Sequence, residues 1–168
     1  MTTPAKLIAP MPALFIGHGN PMNAIDETFY AAAWRVAAAS IPRPKAILCI
    51  SAHWETEGTF VTAMEQPKTI HDFYGFPDEL YRVQYPAPGS RSLAERVRSL
   101  AGSTAVRLDD GYSWGLDHGT WSVLRRMYPE ADIPTVQLSL DRTQHPRFHY
   151  DLGGELASLR SEGVLVVG

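Results

Sequence analysis

Six histidines, at positions 18, 53, 71, 118, 145 and 149, are the side chains of this 168-residue chain best suited to chemistry near neutral pH. Their neighbours tell them apart. His18 stands in Phe15-Ile16-Gly17-His18-Gly19-Asn20-Pro21, just after an apolar run, and its flanking glycines let the backbone turn sharply and expose the ring. His53 stands in Ile50-Ser51-Ala52-His53-Trp54, just after a second apolar run. Two neutral imidazoles at the same end of two parallel strands, side by side in one arrangement, would begin a divalent-metal site. The competing reading of each is a hydrogen-bonded loop histidine. His118, in Trp114-Gly115-Leu116-Asp117-His118-Gly119-Thr120-Trp121, opens a helical pattern. The positive end of a helix dipole favours neutral imidazole, which can accept a proton or hold a polar ligand. Alternatively, Asp117 only caps the helix and His118 packs beneath Trp121. His71, Asp72 and Phe73 open the loop His71-Asp72-Phe73-Tyr74-Gly75-Phe76-Pro77, where imidazole, carboxylate and rings together suit a polar aromatic ligand. His145 and His149 read as solvated. Asp26, Glu27, Asp109, Asp110 and Asp117 are candidate oxygen ligands without diagnostic spacing, and HExxH, CxxC, GxSxG and P-loop patterns are absent.

The elements that must position these groups alternate between short β-branched runs and helical patterns. Strands are expected at Ala13–Ile16, Ala46–Ser51, Thr59–Ala63, Ala105–Leu108, Thr135–Leu140 and Val164–Val167. Helices are expected at Asp26–Ala39, with Asn23 as N-cap and Pro42 and Pro44 as stops, and at Ser90–Leu100, Thr120–Met127 and Phe148–Leu159, the last weakened by Gly153-Gly154. This alternation predicts an α/β fold with a mostly parallel central sheet and flanking helices, in a single domain over residues 1–168. Between the third strand and the second helix, Glu65–Ser90 mixes four prolines with Phe73, Tyr74, Phe76, Tyr81 and Tyr85. Such a loop either serves a ligand or simply seals the core. The chain ends on a core strand, Val164-Leu165-Val166-Val167-Gly168, where an α/β sheet would begin its site loops, so the expectation is a longer product.

Composition narrows the partners. With 15 basic and 18 acidic side chains, a net charge of −3 and no basic cluster denser than Arg43-Pro44-Lys45, the chain lacks the face that nucleic acid requires. Its length allows one real core, burying roughly 70% of the unfolded surface. The lone Cys49 cannot form an internal disulfide and reads as a buried, inert thiol, in keeping with the cytoplasm. Lys6 before Leu7-Ile8-Ala9 faintly imitates a signal peptide, but Pro10 and Pro12 break it. No run reaches the ~20 apolar residues of a membrane helix.

Taken together, the segments Met11–Met22, Ser51-Ala52-His53-Trp54, His71–Pro77, Tyr85-Pro86-Ala87-Pro88-Gly89, Asp117–Trp121 and Pro134–Ser139 resemble the class III extradiol ring-cleavage dioxygenases, whose small members are called DOPA 4,5-dioxygenases. The 35-residue separation of His18 and His53 is similar to the family's spacing. The resemblance implies non-haem Fe(II), with zinc in some bacterial members, and a catecholic substrate opened by dioxygen. It implies that His18 and His53 are two of three metal ligands and that His118 is the histidine near bound oxygen and the catechol hydroxyl. His71 and its neighbours would line the substrate pocket. The family's acid–base histidine and its last metal ligand would fall beyond Gly168.

Two other readings compete. Histidines at strand ends equally suit a zinc-dependent hydrolase that activates water. A truncated, non-catalytic binding protein of the same fold would also explain the missing late ligands. An uncovered final strand further invites pairing with a second copy of the chain.

Overall fold

A computed structural model describes residues 9–102 and 104–168; Lys6, Leu7 and Ile8 of the signal-like segment lie outside the described residues. Among the described residues six strands form one sheet: β1 (Ala13–Leu14), β2 (Ala46–Thr56), β3 (Thr59–Thr62), β4 (Val106–Asp109), β5 (Thr135–Asp141) and β6 (Val164–Val167). Their order is β1-β6-β2-β5-β3-β4, and every neighbouring pair is parallel except β3 against β5. The expected architecture is therefore the observed one, a mostly parallel sheet with flanking helices. β1 and β2 are not adjacent, because β6 lies between them.

Local sequence explains most helix boundaries. In α1 (Phe29–Ser40) the N-cap is Thr28, whose Oγ1 accepts from the Ala31 amide at 3.1 Å. Asn23 does not cap this helix as expected. It is buried in a 3₁₀ turn (Pro21–Ala24), donating from Nδ2 to the His18 carbonyl at 3.1 Å and accepting from Thr28 at 2.9 Å. A single turn, α2 (Asp78–Tyr81), interrupts the aromatic loop. Ser90 caps α3 (Arg91–Leu100), which buries Leu93, Ala94 and Val97 on one stripe. Asp117 caps α4 (His118–Met127) by accepting from the Thr120 amide at 3.2 Å. The last helical region starts as α5 (Pro146–Glu155), runs through Gly153-Gly154 and tightens to 3₁₀ over Leu156–Glu162.

Strand alternation divides the core between the two sheet faces. Ile47, Cys49, Leu165 and Val167 join Trp34, Tyr85, Leu116, Trp121 and Leu124 on one face. Leu48, Val136, Leu138 and Val164 join Leu93, Val97, Leu152 and Leu159 on the other. Cys49 is buried as expected, and burial pushes its thiol up to about 12. Among the described residues no helix is long and apolar enough to cross a membrane.

Candidate metal centre

Three elements deliver three imidazoles to the carboxyl end of the parallel strands. The first is the turn after β1, whose backbone folds back at Gly19 with φ of 61°. Its entry is held by β6, because the Ile16 amide donates to the Gly168 carbonyl at 2.7 Å. The second is a large bulge in β2. Ile50 stands opposite Leu138, but Glu55 stands opposite Leu140, so five steps on β2 match two on β5. The extra residues push Ser51–Trp54 off the ladder and carry His53 with them. The third is the start of α4, anchored through Asp117. That carboxylate is buried and accepts from the Trp114 indole at 3.3 Å and from the Gln137 amide group, while Thr120 donates to Gln137 Oε1 at 2.7 Å.

The result is a tight cluster. His18 Nε2 and His53 Nε2 lie 2.9 Å apart, and one ring nitrogen from each of His18, His53 and His118 falls within 4.8 Å of the others. Ring centroids are 5.0 Å apart for His18 and His53, 5.0 Å for His18 and His118, and 4.0 Å for His53 and His118. Two nitrogens bound at right angles to one ion, each at about 2.1 Å, would lie about 3 Å apart, so the first pair has the separation of neighbouring ligands. α4 approaches so closely that a Cβ on Gly119 would sit 2.6 Å from Ser51 Oγ and 2.8 Å from His53 Cδ2. A side chain there would force Ser51 and His53 to shift.

Asp72 ties the cluster together. Its Oδ1 accepts from the His118 amide at 3.0 Å and from His118 Nδ1 at 2.8 Å, while Oδ2 lies 3.8 Å from His53 Nδ1. Burial opposes ionisation of this carboxyl, but the hydrogen bonds from His118 outweigh it and hold the group below the usual carboxylate range. His18 is shifted in the same direction, which in an imidazole favours the neutral ring. Burial first, then the His118 and His53 imidazoles, lower its pKa and keep it neutral. Its Nδ1 is buried without a hydrogen-bond partner among the described residues.

The other residues singled out in the sequence lie partly beside this group and partly away from it. His118 is buried, and both readings of it hold in part, since Asp117 does cap the helix while the ring joins the cluster. Phe73 packs edge-on against the His118 ring at 5.4 Å and touches Trp121, Phe76 and Tyr81. His71 lies beyond Phe73, its Nε2 donating to the Val83 carbonyl at 2.9 Å and its ring 5.5 Å from Trp121. Trp121 in turn donates to the Ile70 carbonyl at 2.7 Å. Beside the histidines opens a cleft of about 370 Å³, lined by Ile16, His18, Ser51, Ala52, Gly119 and Val123 among others. His145 and His149 are remote: one accepts from the Arg147 amide and the other donates to the Asp141 carbonyl. Among the described residues, none of the candidate acids at 26, 27, 109, 110 and 117 belongs to the three-imidazole group. Glu27 pairs with Arg35 and Arg126, and Asp109 accepts from the Ser113 and Trp114 amides. Sequence reading grouped Asp72 with substrate, not with His118. The two are 46 residues apart, and no local signal links them.

The family model described as the catalytic LigB subunit of aromatic ring-opening dioxygenase matches residues 11–168. The chain belongs to this family. This LigB-type chain is 53% identical over 157 residues to a 4,5-DOPA dioxygenase extradiol of Escherichia coli K12, covering 94% of its own length and 58% of the relative's. A 4,5-DOPA dioxygenase extradiol of Beta vulgaris is 48% identical over 159 residues, with 92% and 59% covered. The crystal structure of an uncharacterized protein from Escherichia coli K12 superposes with a TM-score of 0.77 at 47% identity, over 94% of this chain and 58% of that one. The chain thus spans somewhat over half the length of the curated relatives it matches.

Proposed function

We propose that this protein is an extradiol dioxygenase that opens the ring of a catecholic, DOPA-like substrate with dioxygen, using Fe(II) held by His18 and His53. The observation that carries the reading is the pair of Nε2 atoms at 2.9 Å, with a third imidazole beside them, in a chain of the LigB family. Imidazole donors suit iron and zinc alike, so zinc is the ion that a purified sample can carry instead. When bound, Fe(II) would supply the redox chemistry and lower the cost of deprotonating a coordinated hydroxyl, whereas d¹⁰ zinc supplies only the second.

The chain's own residues have definite tasks in this reading. His118 keeps its proton on Nδ1, donating it in a hydrogen bond to the Asp72 carboxylate, which leaves Nε2 bare and able to accept a proton from a catechol hydroxyl or to hydrogen-bond beside it. Phe73, edge-on to His118 and backed by Trp121 and His71, offers an aromatic wall for a planar ring. Asp72 belongs to this wall by sequence but acts on the imidazoles. We read residues 1–168 as a single α/β catalytic-type domain working in the cytoplasm on a small molecule and dioxygen, without nucleic acid or membrane.

The test is anaerobic Fe(II) loading of the purified gene product, then L-DOPA or catechol, then air. Oxygen uptake with a yellow semialdehyde product is expected, and the zinc-loaded protein should be inert towards oxygen. An iron-loaded protein that yields neither oxygen uptake nor colour rejects the reading. Ester or amide turnover with zinc and no oxygen uptake would favour a hydrolase instead.

A further inference from the structure

We propose that Asp72 is a positioning residue whose single carboxylate selects the ring tautomers of both His118 and His53, leaving both Nε2 atoms bare towards the cluster. The inference rests on the reading of that cluster as a metal site, and it adds a residue to it. An ionised carboxylate can only accept hydrogen bonds. His118 Nδ1, 2.8 Å from Asp72 Oδ1, must therefore be the protonated nitrogen of its ring. The same oxygen takes the His118 backbone amide at 3.0 Å, so the ring and the first turn of α4 are registered by one atom. The other oxygen, 3.8 Å from His53 Nδ1, places negative charge against that nitrogen and favours a proton on it. His53 Nε2 then faces His18 Nε2 with its lone pair.

Free imidazole in water favours the opposite tautomer, so the selection has to come from the surroundings. Among the described residues Asp72 is the carboxylate paired with these two rings, while Asp117 is engaged by Trp114 and Gln137. Partners on the distal nitrogen of a ligating histidine commonly change metal affinity by 10–100-fold. Asp72 is half-buried and sits next to Phe73, whose ring packs edge-on against His118.

The experiment uses ¹⁵N-histidine-labelled, metal-free protein and the variants Asp72→Asn, Asp72→Ala and Asp72→Glu. Long-range ¹H–¹⁵N spectra report the tautomer of each ring, with assignments from His118→Gln and His53→Gln. Zinc affinity is measured separately by competition with a chromogenic chelator. In the parent protein both rings should be protonated on Nδ1. Asp72→Ala should release both towards the Nε2-protonated form and weaken zinc binding by about 10–100-fold. Asp72→Asn, the variant least disturbing to the fold, keeps an acceptor for His118 but turns an amide donor towards His53. It should flip His53 alone and weaken zinc binding by a smaller factor. Asp72→Glu should restore part of the affinity. Unchanged tautomers, or zinc affinity within two-fold of the parent in folded Asp72→Asn, overturn the proposal. Neither readout involves catechol or oxygen, so failure of the dioxygenase reading and failure of this one are separable.

Discussion

The two faces of the sheet are packed by different means. On the α1 and α4 side the core mixes Trp34, Tyr85 and Trp121 with buried polar groups, Asp117, Thr120 and Gln137, each of which is hydrogen-bonded. On the α3 and α5 side the core is aliphatic, built from Leu48, Val97, Val136, Leu152 and Leu159. Aliphatic packing supplies burial without direction, because it is indifferent to small rotations. Hydrogen bonds and aromatic edges fix angles, and an unpaired buried polar group is penalised. The imidazole cluster sits over the face that fixes angles. Stability can come from either side, but the orientation of His53 and His118 comes from one.

Substitutions should separate these two contributions. The largest effect is expected for Trp121→Ala, which removes a fully buried ring, its bond to Ile70 and the backing of Phe73. It should cost about 3–5 kcal/mol in denaturant unfolding and also weaken zinc binding by the folded protein. Leu159→Ala on the aliphatic face should cost about 2–5 kcal/mol yet leave zinc affinity of the folded protein unchanged. A matching loss of affinity in Leu159→Ala would erase the distinction between the faces. Gly119→Ala should cost about 1–3 kcal/mol through overpacking against Ser51 and His53, with a loss of zinc affinity out of proportion to its stability cost. The smallest effect is a pH dependence. The folded pKa of His18 lies below the unfolded value of about 6.5, so the unfolded chain binds more protons in that window. Stability of the metal-free protein should be full above pH about 6.5 and fall as pH drops below it. His18→Gln should flatten that part of a stability-against-pH curve.

Much of the fold was legible because hydrophobic period reports directly on burial. The strand at Val164–Val167 was found with its bounds, and the strand at Thr135–Leu140 to within one residue of its end. β2 was expected to stop at Ser51 but runs to Thr56, because a bulge breaks the ladder without ending it and leaves no periodic trace. The start of α1 was misplaced because Asn23 and Thr28 are both good caps, and the contact that takes Asn23 away is with the His18 backbone. Sheet order was not readable, since the insertion of β6 between β1 and β2 depends on pairings of high sequence separation. At the site, the histidines at 18, 53 and 118 were visible from their small or turn-forming neighbours. The bonds from Asp72 to His118 were not, because nothing local marks a contact across 46 residues.

The pairing of β1 with β6 also orders events in time. Residues 13 and 14 find their ladder partners only at 166 and 167, and among the described residues β1 has no other strand beside it. A ribosome delivers the glycine-flanked turn about 150 residues before its docking edge. Of the three clustered histidines, the one made first is then locked in only once β6 has emerged, and until that closure any ion the nascent chain meets is held without it.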